Sequence, residues 1–297
     1  MSKSSNARPT KPQLQWDDMN TPYRVAACQM VSTPRVDENL RTAERLVGEA
    51  AAAGAMLVGL PEYFCLMGHK DDDKVRAREP LAREGDPHSG GPIQGALADM
   101  ARRHKVWLVG GTIPLTAPDP NKVLNTTLVF DPTGKRVARY DKIHLFSFSR
   151  NGESYDEART ITPGDDVGVF EAPFGRVGLS VCYDLRFPEL YRAMSAQGGD
   201  LKLIMVPAAF TATTGRAHWE VLLRARAIEN QCYVLAPAQG GTHENGRQTW
   251  GHSMLIDPWG KVVAVCESGE GIAVGDLDLG QLEGMRASLP ALKHRTL

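Results

Sequence analysis

Residues 178–192 read GLSVCYDLRFPELYR, and they join a strand-like apolar run to a helix that opens with Pro188. Cys182 stands where the run ends, with acidic and basic side chains directly after it. A cysteine at the carboxyl end of a buried strand, beside charged groups, is placed as a nucleophile would be. Free cysteines are often buried for packing alone, so Cys182 by itself fits a structural role equally well. Other parts of the chain must decide between the two roles.

Strand-like runs alternate with helix-like periods on both sides of this segment. The apolar spacing predicts helices at residues 36–54, 92–104, 188–197 and 216–230. Strands are predicted at residues 24–30, 56–60, 106–113, 168–171, 176–181, 201–206, 232–238 and 271–279, with hairpins at 125–142 and 252–265. Two β-α-β-like halves with hairpins attached predict an α/β fold of two mixed sheets, packed together, with helices on their outer faces.

Composition narrows the functional classes. The 297 residues carry a formal net charge of −1 without a basic stripe, so neither nucleic acid nor an anionic membrane is an expected partner. We find no signal peptide or membrane span, and the five cysteines include no C-x-x-C pair, which argues against disulfides and zinc. We therefore expect a cytoplasmic protein, with a flexible arm at residues 1–22 and a single domain at residues 23–297.

Two further residues at strand ends complete a set that amide hydrolysis requires. Glu62 follows the run LVGL and is flanked by Pro61, Tyr63 and Phe64, which can desolvate its carboxylate, and Lys142 follows the strand-like VAR. A thiol can attack the carbonyl, a carboxyl group can move the proton, and an ammonium can stabilise the oxyanion. Alone, Glu62 would be read as a solvated turn residue and Lys142 as a surface lysine.

Three local motifs carry a resemblance to a known family: LPEYF around Glu62, YDKIHLF around Lys142 and VCYDLRFPELYR around Cys182. In this order they resemble the nitrilase superfamily of carbon-nitrogen hydrolases, over about residues 23–295. CYDLRFPE is similar to the Nit-type amidases. Residues 215–241, 251–264 and 289–295 resemble the deaminated glutathione amidase branch more fully than its sister branch, the omega-amidases acting on 2-oxoglutaramate.

The resemblance implies a four-layer α-β-β-α sandwich that forms at least a homodimer. It also implies a reaction without a cofactor or metal, in which a small carboxylate-bearing ω-amide, most closely deaminated glutathione, is hydrolysed by water with release of ammonia. Glu62 is then the general base and acid, Cys182 the nucleophile, and Lys142 with the backbone N–H of Tyr183 the oxyanion site.

A second active-site glutamate is also implied by the family, and Glu157 in SYDEART matches it best. Here the chain departs from its relatives, because Ser147 stands where they usually carry an acidic residue. The segment that follows is also slightly shorter. Glu153 therefore competes with Glu157 for this role.

Two residues are candidates for substrate binding. Arg186 lies four residues after Cys182, and its guanidinium could hold a substrate carboxylate bidentately. An ion pair with Asp184 or Glu189 that only fixes the loop is an equal alternative. Phe210 could form a wall of the pocket or belong to the core.

Other interpretations of the chain have less support. His144 near Lys142 suggests a cysteine protease dyad, but a hydrogen-bonded structural histidine suits it better because the protease signatures are missing. The charged residues of the helix after Trp219 are expected in an interface or surface ion network: Glu220, Arg224, Arg226 and Glu229. A carbamoylase, a nitrilase and a catalytically silent scaffold stay open as alternative functions.

Overall fold

The computed structural model describes residues 22–150 and 153–296. In these ranges the strands are β1 (Tyr23–Gln29), β2 (Leu57–Gly59), β3 (Trp107–Val109), β4 (Ile113–Thr116), β5 (Val123–Phe130), β6 (Arg136–Asp141), β7 (Ser147–Arg150), β8 (Glu153–Asp156), β9 (Gly168–Ala172), β10 (Gly175–Leu179), β11 (Leu203–Met205), β12 (Tyr233–Ala236), β13 (Gly240–Thr242), β14 (Gln248–Trp250), β15 (Ser253–Ile256), β16 (Val262–Cys266) and β17 (Gly271–Leu277). The α-helices are α1 (Val36–Ala52), α2 (Asp73–Arg76), α3 (Pro92–His104), α4 (Pro188–Ala196), α5 (Ala212–Asn230) and α6 (Leu279–Ser288). Short 3-10 helices lie at Pro87–Ser89, Glu157–Arg159, Cys182–Arg186 and Ala291–His294.

Two mixed sheets form the centre of the molecule. The first has the order β17-β1-β2-β3-β5-β4, with β6 paired to β5, and its strands β1, β2 and β3 are parallel. The second has the order β16-β15-β12-β11-β10-β9, and β10, β11 and β12 are its parallel strands. In each sheet the parallel strands direct their carboxyl ends to one edge, where an active site of this fold class is expected.

Side-chain alternation along the strands produces four layers. In β1, Val25 and Ala27 join a core shared with the second sheet, whereas Ala26 and Cys28 face the core that contains α1 and α3. Helices α4 and α5 pack on the other side and contribute Met194, Leu223 and neighbouring residues to the core of the second sheet. The order of layers is therefore α-β-β-α, which confirms the predicted fold class.

One predicted strand is wrong. The run at residues 106–113 is divided into β3 and β4 by Gly110 and Gly111, and Gly111 has a φ of +54°. A Cβ atom at Gly111 would lie 2.1 Å from the carbonyl oxygen of Pro61, so the break lets the chain approach the segment that carries Glu62.

Several other elements differ from the sequence prediction. Helix α3 and the β5–β6 hairpin are confirmed, but α5 begins at Ala212 rather than near residue 216 because the Thr211 side chain accepts a hydrogen bond from the Thr214 N–H. The hairpins β7–β8 and β13–β14 and helix α6 were not predicted. The predicted arm at residues 1–22 lies outside the described residues except for Pro22.

Within the described part of the chain, no helix is both long and apolar enough to cross a bilayer. All five cysteines are described, and each is a free thiol, in agreement with the argument against a disulfide framework.

Candidate active site

The three residues predicted for amide hydrolysis all follow strands of the central sheets. Glu62 lies in the turn after β2, Lys142 comes directly after β6, and Cys182 opens the 3-10 helix that follows β10. Glu62 and Lys142 belong to the first sheet and Cys182 to the second. The site is therefore built where the two sheets meet, at the carboxyl ends of β2 and β10.

Lys142 is fully buried between two carboxylates. Its Nζ lies 2.9 Å from Glu62 Oε1 and 2.7 Å from Glu157 Oε2. Its backbone N–H donates to the carbonyl oxygen of Asn125 on β5. Lys142 is therefore not the surface lysine that its motif alone suggested. Two carboxylates and the sheet hold its ammonium at a fixed position.

Glu62 is also held from several directions, and it is not a solvated turn residue. Asn125 Nδ2 donates to Oε1 at 2.9 Å, and the backbone N–H of Ala209 donates to Oε2 at 3.0 Å. Gln239 Nε2 donates to the Glu62 carbonyl oxygen at 3.1 Å. The first two bonds fix the carboxylate and the third fixes the backbone, and the residue is only 1% exposed. Asn125 was not predicted, because in the sequence it is one of three consecutive polar residues of β5, with Thr126 and Thr127.

Glu157, the better match for the second glutamate, contacts Lys142 directly. Its Oε1 accepts from the Tyr63 hydroxyl at 2.9 Å, and its Oε2 accepts from Lys142 and from the Phe146 N–H at 2.8 Å. Glu153 lies at the start of β8, and its side chain is outside the described part of the chain.

Cys182 adopts an unusual backbone conformation. Its φ is +50°, a left-handed value that costs a non-glycine residue energy and is found at constrained functional positions. The Cys182 N–H donates to the carbonyl oxygen of Pro207 at 2.9 Å, which ties the turn to the neighbouring strand end. The next residue, Tyr183, is the second of a helical turn, where backbone N–H groups lack intrahelical acceptors.

Burial and the charges around Cys182 keep its thiol protonated. Burial and then the carboxylate of Glu62 raise the pKa of Cys182 well above its ordinary value, and Lys142 offsets only part of this. Burial disfavours the ammonium of Lys142, but Glu157 and Glu62 outweigh it and raise the pKa of Lys142. Burial likewise opposes ionisation of Glu157, but the attraction of Lys142 prevails and lowers the pKa of Glu157. One ammonium between two carboxylates leaves no surplus positive charge for a resting thiolate.

Asp184 connects the lysine segment to the cysteine segment. Its fully buried carboxylate accepts from the Tyr140 hydroxyl at 2.7 Å and from the Val181 N–H at 2.8 Å. The backbone N–H of His144 and its Nδ1 also contact Asp184, at 3.0 and 2.7 Å. His144 is therefore a structural residue bound to Asp184, as the sequence suggested, and Asp184 is a positioning residue that sequence reasoning did not identify.

A narrow cavity lies in front of the thiol. Its lining includes the remaining predicted residues, Tyr183, Arg186 and Phe210, and several that were not predicted. The full lining is Phe146, Glu157, Cys182, Tyr183, Arg186, Ala209, Phe210, Thr211, Thr214 and Arg247. We call this space the inner cavity. Thr211, Thr214 and Arg247 were missed because they belong to elements whose ends the sequence did not resolve, the start of α5 and the β13–β14 hairpin.

Arg186 faces this cavity between two aromatic rings. Its guanidinium carbon lies 5.7 Å from the centroid of Tyr183 and 5.3 Å from that of Phe210, and Nη1 contacts His218 Nδ1 at 3.3 Å. Within the described residues it forms no ion pair with Asp184 or Glu189, so that alternative is wrong. Phe210 lines the cavity and also packs on Trp219, with ring centroids 4.8 Å apart. It is therefore both a wall of the pocket and part of the core.

The expectation of a surface ion network on α5 needs a correction. Glu220 and Arg224 form an exposed pair, but Arg226 is buried and donates from Nε and Nη2 to the Leu185 carbonyl oxygen at 3.0 and 2.7 Å. Its Nη1 also pairs with Glu229 at 2.8 Å. Arg226 therefore supports the carboxyl end of the 3-10 helix that Cys182 opens.

The assembled side chains define a class of chemistry. The Cys182 thiol and Glu157 line one small cavity, and Glu62, Lys142 and Glu157 all act electrostatically on that thiol. This is the set required for attack on an amide carbonyl and for proton transfer to its nitrogen. A sequence model of the family described as carbon-nitrogen hydrolase matches residues 24–287. The chain belongs to this family of the nitrilase superfamily, and it is an amide-hydrolysing enzyme.

Individual relatives agree with this assignment. The deaminated glutathione amidase of Synechocystis sp. (strain PCC 6803 / GT-S) is 43% identical over 278 residues, which cover 92% of this chain and 98% of that relative. Nit3 of Saccharomyces cerevisiae, a member of branch 10 of the nitrilase superfamily, has a similar structure with a TM-score of 0.82 and 30% identity, covering 94% of this chain and 99% of Nit3. A mutant of the amidase from Nesterenkonia sp. AN1 also has a similar structure, with a TM-score of 0.71 and 26% identity, covering 90% of this chain and 98% of that one. That structure shows the result of Michael addition of acrylamide at the active-site cysteine.

Proposed function

We propose that this enzyme hydrolyses deaminated glutathione through a thioester on Cys182. The observation that carries the proposal is the position of Lys142 Nζ between Glu62 and Glu157, beside the cavity that contains Cys182. The substrate is suggested by the name of the Synechocystis relative, whose match covers nearly the whole of both chains.

In the first half of the reaction, Glu62 takes the proton of the Cys182 thiol as the sulfur attacks the carbonyl carbon. Because the pKa of Cys182 is raised, the proton leaves during the attack rather than before it. The oxyanion of the tetrahedral intermediate is stabilised by the ammonium of Lys142 and the backbone N–H of Tyr183. When the intermediate collapses, Glu62 returns the proton to the departing nitrogen and the acyl group stays on sulfur.

In the second half, a water molecule replaces the amine. Glu62, again a carboxylate, takes a proton from the water as its oxygen attacks the thioester carbon, and the same oxyanion site is used. Collapse expels the Cys182 sulfur, which regains its proton from Glu62, and the carboxylic acid product leaves. Glu157 orients Lys142 throughout and does not itself exchange a proton with the substrate.

The identity of the substrate changes the expected leaving group. Deaminated glutathione has no primary amide, since its reactive carbonyl is bonded to the nitrogen of a cysteinylglycine unit. Its hydrolysis gives 2-oxoglutarate and cysteinylglycine, so the expectation of ammonia release is incorrect for this substrate. Ammonia is the product only for a primary ω-amide such as 2-oxoglutaramate, which remains the second candidate because it has the same acyl part.

Arg186 is proposed to bind the carboxylate of that shared acyl part. It lies in the inner cavity, is free of an acidic partner in the described structure, and is held by the rings of Tyr183 and Phe210. A guanidinium in this setting can bind a carboxylate bidentately and keep the reactive carbonyl near the thiol.

We also infer a single domain over residues 23–297 and a homodimer. Supporting the single domain, first-sheet residues such as Val25 share one core with the second sheet. Val221 and Ile228 on α5 and Trp259 in the β15–β16 turn are 67%, 50% and 66% exposed, an apolar surface that suits an interface between copies. Sedimentation of the purified protein tests the dimer, and a monomer at micromolar concentration would contradict it.

A comparison of two substrates tests the proposed function. The purified enzyme is given deaminated glutathione or 2-oxoglutaramate, and the common product 2-oxoglutarate is measured in both reactions. We expect kcat/KM to be higher for deaminated glutathione. A higher value for 2-oxoglutaramate would make the enzyme an omega-amidase, and carbon dioxide from a carbamoyl substrate or hydrolysis of a nitrile would indicate another branch. Turnover of none of these compounds would favour a scaffold.

A further inference from the structure

A second, larger cavity adjoins the inner cavity. It has a volume of about 400 Å³ and lies between the segment Tyr63–Lys74, the strand β8 and the turn of the β13–β14 hairpin. We call it the outer cavity. Arg247 lines both cavities, and Tyr63, which lines the outer one, donates its hydroxyl to Glu157 of the inner one at 2.9 Å. The two cavities therefore share Arg247, and the hydrogen bond from Tyr63 to Glu157 links their walls.

The outer cavity is rich in positive charge. Its described lining contains Lys70, Lys74 and Arg247, against a single carboxylate, that of Asp71. An anionic group would find complementary charge here.

Two of these cations line the cavity and form no ion pair in the described structure. Lys74 Nζ contacts the Thr160 hydroxyl at 3.4 Å and lies 5.4 Å from the centroid of the Tyr63 ring, and no described carboxylate lies within 4.0 Å of it. Arg247 donates from Nη2 to the Ala209 carbonyl oxygen at 2.8 Å, while its buried Nε has no hydrogen-bond partner in the described structure. Both side chains are half-buried, and the attraction of Asp71 and Glu157 for Lys74 is not a direct ion pair. An anion bound in the cavity would supply the hydrogen-bond partner that Arg247 Nε lacks.

The outer cavity is already formed by contacts between its walls. Asn245 in the β13–β14 turn donates from Nδ2 to the Gly68 carbonyl oxygen at 2.7 Å and accepts the Arg247 N–H at 2.9 Å. These bonds hold the turn against the segment that carries Lys74. Binding would then require little ordering of the protein.

We propose that the outer cavity binds the amine portion of the substrate, and that Lys74 and Arg247 recognise a carboxylate at the far end of that portion. The inference rests on the proposed function and deepens it by assigning the two halves of the substrate to two cavities. Arg186 in the inner cavity takes the carboxylate of the acyl half. The leaving half extends from the reactive carbonyl past Tyr63 into the outer cavity.

The leaving half extends well beyond the reactive carbonyl. Two residues in extended conformation span about 7 Å, and a dipeptide attached through its nitrogen to the reactive carbonyl carries its carboxylate at about that distance. A primary amide releases only ammonia and leaves the outer cavity unused. The preferred substrates are therefore amides whose amine component ends in a carboxylate.

A matched pair of substrates tests the inference. Deaminated glutathione is compared with its glycinamide analogue, which has the same shape but a neutral carboxamide in place of the terminal carboxylate. We expect kcat/KM to favour the carboxylate by about tenfold or more, and Lys74→Gln to lower this ratio by about tenfold, the equivalent of about 1.4 kcal/mol. Lys74→Arg should retain the ratio because it keeps the charge. Lys261→Gln, in the distant β15–β16 turn, is the control and should also retain it.

A binding measurement separates this inference from the proposed function. Calorimetry on the Cys182→Ala protein with N-acetylcysteinylglycine and its amide requires no turnover, and we expect about tenfold tighter binding of the carboxylate. If the enzyme hydrolyses neither substrate but this preference is found, the proposed function fails and the outer-cavity site stands. Equal affinity for the two probes, binding of neither, or an unchanged kcat/KM ratio in Lys74→Gln would overturn the outer-cavity assignment.

Discussion

Lys142 Nζ lies 2.9 Å from Glu62 Oε1, and both side chains are almost completely removed from solvent. A buried ion pair is sensitive to the loss of one partner, because the remaining charge is left without water or counter-ion. With Glu157 on the other side, the ammonium of Lys142 separates two carboxylates. The pair therefore serves the stability of the site as well as its proposed chemistry.

Replacing the lysine should destabilise the protein. Lys142→Met leaves Glu62 and Glu157 facing each other without the ammonium, and we expect a loss of about 3–5 kcal/mol in the free energy of unfolding. Urea denaturation measures the difference from the parent protein, with Lys261→Met as a control at an exposed lysine. A loss below about 1 kcal/mol would show that the carboxylates do not depend on Lys142.

The second active-site glutamate can be identified by two matched variants. Glu157→Gln keeps the size of the side chain but removes one of the two charges that hold Lys142, so we expect kcat to fall by about 10- to 100-fold, about 1.4 to 2.7 kcal/mol. Glu153→Gln should leave kcat within about twofold. The reverse order in steady-state assays would assign the role to Glu153.

The raised pKa of Cys182 predicts how its reactivity depends on pH. The thiolate is the reactive form, and burial together with Glu62 keeps the pKa above the ordinary value of about 8.5, so the thiol stays protonated at neutral pH. The rate of alkylation of Cys182 by iodoacetamide should still be increasing with pH beyond pH 9. Mass spectrometry of the peptide containing Cys182 measures it, with N-acetylcysteine as the reference thiol. A plateau below pH 8 would indicate a stabilised thiolate instead.

Arg186 should affect substrate use more than stability. Arg186→Gln removes the proposed partner of the acyl carboxylate but breaks no ion pair of the described structure, so we expect kcat/KM to fall by about 10- to 100-fold, or about 1.4 to 2.7 kcal/mol. The melting temperature should change by less than about 2 °C. A large drop in melting temperature with unchanged kcat/KM would return Arg186 to a structural role.

The sequence predicts the fold class because the helix and strand periods are clear in the buried elements. Pro92–His104 shows this, since Pro begins the helix and Ile93, Leu97 and Met100 point inward. The hairpins β7–β8 and β13–β14 lack such a period, being short and partly exposed, and were not predicted. The division of residues 106–113 depends on contact between Gly111 and Pro61, which are distant in sequence.

In the candidate site, too, residues with a local sequence pattern were predicted and residues that depend on tertiary contacts were not. Glu62, Lys142 and Cys182 could be selected because each follows a strand and carries a motif. Asp184 and Arg247 could not, because their importance comes from tertiary partners: Asp184 binds Tyr140 and His144, and Arg247 reaches both cavities. Hydrogen bonds between distant segments leave no period in the sequence.

In the proposed mechanism, the thiol of Cys182 attacks the amide carbonyl. The most direct test is the release of 2-oxoglutarate from deaminated glutathione and from 2-oxoglutaramate by the parent enzyme and by Cys182→Ala, with circular dichroism and sedimentation to show that the variant keeps its fold. We predict turnover by the parent enzyme and none above background by the folded variant. Release of 2-oxoglutarate by Cys182→Ala at a rate near that of the parent would contradict the mechanism.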